Sequence, residues 1–120
     1  MTAAIGTGIA GSEGRLAGMI VAFSVAPAVV DNDSGEMADA VAEAVRVVRE
    51  SGLPNETNAM FTLVEGEWDE VFGTIKKATE AVRAVSPRTS LVIKADIREG
   101  VTNQLTDKVD AVNRRLAKED

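Results

Sequence analysis

The segment Asn55-Glu-Thr-Asn-Ala-Met-Phe-Thr-Leu-Val-Glu-Gly66 lies between two stretches of helical periodicity and is long enough for two short strands joined by a tight turn or bulge. Upstream, Asp33 with Glu36 forms a capping-box pattern. Met37, Ala40, Val41, Ala44, Val45 and Val48 then recur at helical spacing until Gly52 and Pro54 stop the helix. Before that helix, residues 19–27 (MIVAFSVAP) are rich in β-branched and apolar residues and end on a proline, as a strand would. Downstream, Trp68, Val71, Phe72, Ile75, Ala78, Val82 and Val85 predict a second amphipathic helix, with Asp69 and Glu70 at its positive end and Pro87 just beyond it. Residues 89–98 (TSLVIKADIR) alternate as a strand until Gly100. A closing helix from about Thr102 carries Leu105, Val109, Val112 and Leu116. The order is β-α-β-β-α-β plus one helix: an α+β, ferredoxin-like sandwich with an antiparallel sheet and two helices on one face.

The other sheet face is then open. Its expected members are Ile20, Ala22 and Ser24; Asn58, Met60, Thr62 and Val64; and Val92, Lys94, Asp96 and Arg98. Such a mixture is too apolar for free surface and too polar for a core, so it suits a subunit contact or a ligand.

Composition removes whole classes of chemistry. With no cysteine and no histidine in 120 residues, disulfides, thiolate nucleophiles, Cys/His zinc sites and histidine-based triads are all excluded. A net charge of −6 argues against a nucleic-acid partner, which needs a basic face. No apolar run is long enough to span a membrane and no secretory pattern opens the sequence, so the cytoplasm is the expected compartment. Residues 3–13 contain Gly6-x-Gly8-x-x-Gly11, the glycine spacing of a dinucleotide-binding turn. Too little chain precedes it for a buried strand, and Gly14 and Gly18 break any helix after it. It reads as part of a flexible Gly/Ala-rich extension, residues 1–18, with the domain occupying 19–120 and no bound cofactor.

No catalytic constellation emerges. The serines have no histidine to activate them, and Lys94, Asp96 and Arg98 read as an ion-pair row on one strand face. Glu65 and Asp69 flank a helix start, where acids serve the dipole. Asp31-Asn32-Asp33 lacks the spacing of a calcium loop and reads as loop and cap. Trp68 and Phe72 read as core. A binding site survives better than an active site: Asn58, Met60 and Thr62 share a strand face, Ser24 and Asp96 lie near them across the sheet, and Glu65 ends the strand. Amide, hydroxyl and carboxylate groups around a Met/aromatic patch suit a heteroaromatic ligand with a positive charge.

The segments MIVAFSVAP, VVRESGLP, NAMFTLVEGEWDEV and LVIKADIR, in this order and spacing, resemble the thiamine-binding protein family over about residues 19–117. The resemblance implies a ferredoxin-like subunit that assembles through its sheets into dimers and dimers of dimers. It also implies binding of thiamine or its hydroxymethylpyrimidine moiety without a known reaction. The family's strand-one serine falls on Ser24, and its Met-x-Thr-x-x-Glu-Gly stretch on Met60, Thr62, Glu65 and Gly66. Where the family commonly has Thr-Pro-Met-Gly, this chain has Asn58-Ala59-Met60-Phe61. The expected ligand-binding set is therefore Ser24, Asn58, Met60, Thr62, Glu65 and Asp96. Two other classes stand beside this one: an oligomeric structural or regulatory module without a ligand, and a small enzyme of the dimeric-barrel type, which commonly employs a histidine.

Overall fold

The computed structural model describes residues 18–28 and 36–118. Four strands, β1 (Met19–Pro27), β2 (Asn55–Thr57), β3 (Thr62–Gly66) and β4 (Thr89–Ile97), alternate with three helices, α1 (Glu36–Arg49), α2 (Trp68–Arg83) and α3 (Gln104–Lys118). The strands form one antiparallel sheet in the order β2-β3-β1-β4. This is the expected ferredoxin-like sandwich with an added C-terminal helix. The glycine motif, the Asp31-Asn32-Asp33 loop and the Asp33 end of the capping box lie outside the described residues. Of the expected 1–18 extension only Gly18 is described. It is buried, and its carbonyl accepts the Arg98 N–H, adding a rung to the β1–β4 ladder.

The central strand β1 sends Met19, Val21 and Phe23 into a core with Val64 of β3, Ala44 and Val48 of α1, and Val71, Ile75, Ala78 and Val82 of α2. Each large apolar side chain removed from water here contributes about 1.5–3 kcal/mol. The helical spacing read from the sequence selects these residues correctly. Other residues at that spacing stay exposed, among them Val41 of α1 at 37% and Val109, Val112 and Leu116 of α3 at 55–57%. Trp68, expected in the core, is 56% exposed on the first turn of α2, its ring 4.7 Å from that of half-buried Phe72. Val85 falls beyond the end of α2 and is exposed.

The face assignment of β3 differs from the expected one. Phe23 pairs with Thr62 and Val21 with Val64, and directly opposed residues share a face. Thr62 and Val64 therefore point to the helices and are buried, while Leu63 and Glu65 point to the open face. Asn58 and Met60 lie on no strand face; they belong to the turn joining β2 and β3. The Asn58 N–H donates to the Phe61 carbonyl at 2.9 Å. Its side-chain Oδ1 accepts the N–H groups of Met60 and Phe61 at 2.8 and 2.9 Å. An asparagine that binds its own turn in this way resets the alternation at Thr62.

Candidate functional site

The six expected ligand residues fall into two groups. Ser24, Asn58, Met60 and Thr62 line one cleft of about 190 Å³, where the end of β1 meets α1 and the β2–β3 turn. Phe23, Phe61, Val41 and Val45 supply apolar walls. Among the described residues that line it, none is charged. Met60 is 73% exposed, whereas Thr62 is buried. Because Asn58 Oδ1 is committed to two backbone N–H groups, that residue first of all shapes the cleft wall.

Glu65 and Asp96 lie elsewhere. Both pair with Ile20, which places them in one row across β3, β1 and β4 on the open face. Ile20 and Ser24 are four residues apart along β1, so this row is about 13 Å from the Ser24 end of the cleft. Glu65 is buried, and its carboxylate accepts the backbone N–H groups of Gln104 at 2.8 Å and Leu105 at 3.2 Å. Two of the orphan donors of α3 are thereby satisfied by an acid placed at the positive end of the helix dipole. Glu65 does serve a helix start, but that of α3 rather than the neighbouring α2.

Asp96 binds the Lys108 ammonium of α3. That hydrogen bond is the main cause holding its carboxyl below the ordinary value of 3.8; partial burial opposes it, and the charges of Lys108, Arg98 and Lys94 add to it. The expected Lys94–Asp96–Arg98 row is thus corrected: the partner of Asp96 comes from a helix crossing the open face, with its two strand neighbours acting at longer range.

Gln104 and Lys108 escaped the sequence reading. Gln104 is 2% exposed, and neither its Nε2 nor its Oε1 has a hydrogen-bond partner. Its link to Glu65 spans 39 residues, so no local periodicity signals it. Beyond its first turns, α3 leaves Val109, Val112 and Leu116 exposed. Among the described residues, no group of three acidic side chains could hold a metal ion, and no helix is long and apolar enough to cross a membrane.

Similarity to known proteins follows the same chain segments. The UPF0045 protein Mb1933 of Mycobacterium bovis is 54% identical over 99 residues, covering 82% of this chain and 94% of that protein. The crystal structure of the hypothetical protein MJ1052 of Methanocaldococcus jannaschii superposes with a TM-score of 0.68 at 26% identity, covering 83% of this chain and 97% of that one. A Thermotoga maritima protein assigned provisionally to thiamine biosynthesis or salvage shares the fold, with a TM-score of 0.61 at 24% identity over 75% of this chain and 95% of that one. The model of the thiamine-binding protein family matches residues 21–113, so nearly the whole described domain is covered and the chain belongs to that family.

Proposed function

We propose that this chain is a non-catalytic binding protein for the hydroxymethylpyrimidine moiety of thiamine, free or as part of the vitamin. In this reading it acts in the cytoplasm as a homo-oligomer, in transport, salvage or sensing. The observation that carries the reading is the cleft at the β2–β3 turn, which gathers four of the six residues singled out by family resemblance and chemistry. Its volume of about 190 Å³ falls below the roughly 300 Å³ at which pockets for drug-sized ligands begin. One heteroaromatic ring suits that space better than two. The described walls carry no charge, so they offer the cationic thiazolium nothing, whereas a neutral aminopyrimidine can meet the Thr62 hydroxyl and the Asn58 amide nitrogen between apolar walls, beside Ser24 at the β1 end of the cleft. Whole thiamine would place its pyrimidine inside and leave the thiazolium at the mouth, where the acidic net charge of the chain favours a cation.

Calorimetric titration with hydroxymethylpyrimidine and with thiamine tests this. Val41 lines the cleft and is partly exposed, so Val41→Phe fills the space without removing a hydrogen bond. Saturable binding to the wild type, weakened at least about tenfold by Val41→Phe, is expected. Flat titrations with both ligands on folded protein would sink the assignment. The competing module without a ligand draws support from the exposed apolar residues of β4 and α3, which suit a protein contact as well as the cleft suits a ring.

A further inference from the structure

We infer that Phe61 is the specificity-determining residue of the cleft: its side chain limits the ligand to one ring and shuts out adenine, in which the same aminopyrimidine edge is fused to a second ring. The inference rests on the pyrimidine-binding reading above and names the group that makes that binding selective.

The polar groups of the cleft cannot make this distinction. Asn58 Oδ1 is committed to the N–H groups of Met60 and Phe61, which leaves the amide nitrogen to donate. The Thr62 hydroxyl, in the same cleft, can accept. A ring nitrogen beside an exocyclic amino group matches both, and hydroxymethylpyrimidine and adenine present that edge alike. Both ligands are uncharged at neutral pH, so walls without charge among the described residues favour neither. The two differ on the far side of the ring. There the pyrimidine carries a hydroxymethyl group that can rotate, and adenine a rigid fused imidazole. Discrimination therefore falls to shape, and a carrier that read only the shared edge would take up the wrong ring.

Phe61 is the wall placed to supply that shape. Phe23 also lines the cleft, but it is 2% exposed and belongs to the core. Val41, Ala44 and Val45 are fixed on α1. Phe61 is half-buried and stands outside the core cluster, so its ring borders the cleft without holding the fold together. Its backbone is nevertheless pinned on both sides. The Asn58 N–H donates to the Phe61 carbonyl at 2.9 Å, and the Phe61 N–H donates to Asn58 Oδ1 at 2.9 Å. A turn closed twice by one asparagine cannot swing its ring aside at little cost. In a space of about 190 Å³ one ring fits, and a fused second ring must drive the Phe61 side chain off its rotamer or open the turn.

Calorimetric titration of the full chain with hydroxymethylpyrimidine and with adenine tests this on the wild type, Phe61→Ala and Phe61→Val. The wild type is expected to bind the pyrimidine at least about tenfold more tightly than adenine. Phe61→Ala removes an aromatic contact and should weaken the pyrimidine about 2- to 12-fold. It also opens room for the second ring, so adenine should bind more tightly than to the wild type and most of the preference should close. Phe61→Val keeps a smaller apolar wall and suits the strand that begins at Thr62, so it should fall between the two and serves if Phe61→Ala fails to fold. A wild type that binds both ligands alike, or a variant with the circular dichroism of a folded chain that keeps the full wild-type preference, would overturn the inference and leave the pyrimidine reading standing. A wild type that takes neither ligand would overturn both.

Discussion

Glu65, buried near the end of β3, accepts the backbone N–H of Gln104 at 2.8 Å and thereby fastens the start of α3 to the open face of the sheet. The same carboxylate takes the Leu105 N–H at 3.2 Å. Beyond these bonds and the Lys108–Asp96 pair, most of α3 is exposed. The helix is thus held mainly at its first turn, and removing the acceptor frees it without touching the core. Glu65→Ala should cost about 1–3 kcal/mol, the scale of a buried charge-assisted hydrogen-bond group. Hydrogen exchange should quicken in residues 104–118 and stay protected in β1 and α2. Uniform acceleration across all elements would show that α3 is integral to the core.

Gln104 makes the opposite case. Its backbone N–H is satisfied, but its buried carboxamide has no hydrogen-bond partner. Replacing it by an apolar side chain of similar size deletes groups whose burial costs free energy. Gln104→Leu should therefore be neutral or stabilising, by up to about 1 kcal/mol in urea unfolding. A loss of more than that would mean that the amide is paired, for instance through a buried water.

Gly18 is required by space rather than by conformation. A Cβ placed there would lie 1.9 Å from the Arg98 carbonyl oxygen and 2.5 Å from its carbon, and backbone atoms cannot move aside as a flexible side chain can. Gly18→Ala must pull the two chain segments apart and lose the Gly18–Arg98 hydrogen bond. A destabilisation of about 1–3 kcal/mol is expected, with faster amide exchange at Arg98. An unchanged unfolding midpoint would show that this rung carries no stability.

The parts of the fold legible in the sequence are those set by unbroken local periodicity. Leu91, Ile93, Ala95 and Ile97 alternate with Val92, Lys94 and Asp96 without a break, and the pairing of β4 with β1 gives the faces that alternation implies. In α2, Val71, Ile75, Ala78 and Val82 sit at helical spacing and are all buried. Alternation carried through the β2–β3 turn fails, because Asn58 ties the turn with its own side chain and the count restarts at Thr62. The site divides for a related reason. Ser24 and Thr62 meet at one end of β1, whereas Glu65 and Asp96 meet Ile20 nearer the other, and only the register separates the two groups. The roles of Glu65 and Asp96 come from α3, a helix whose docking depends on contacts 39 and 12 residues away in sequence.

Asp96 carries the pH dependence this arrangement creates. Its carboxyl is held below the ordinary 3.8, chiefly by the Lys108 hydrogen bond. A group whose value is lowered on folding adds stability that is complete above its unfolded value and is lost as pH falls through the folded value. The Asp96–Lys108 pair should therefore contribute fully at neutral pH and fade below about pH 3.8. Both side chains are nearly half exposed, so the effect is small and screened by salt. Asp96→Asn should lower the thermal midpoint slightly at pH 7 in low salt. Its difference from the wild type should shrink in high salt and close as the pH drops from 4 toward 2. Lys108→Met should reproduce that pattern, whereas Lys94→Met, which removes only a longer-range charge, should show a weaker version. A gap between Asp96→Asn and wild type that persists at pH 2 would assign its cause to packing against α3 rather than to charge.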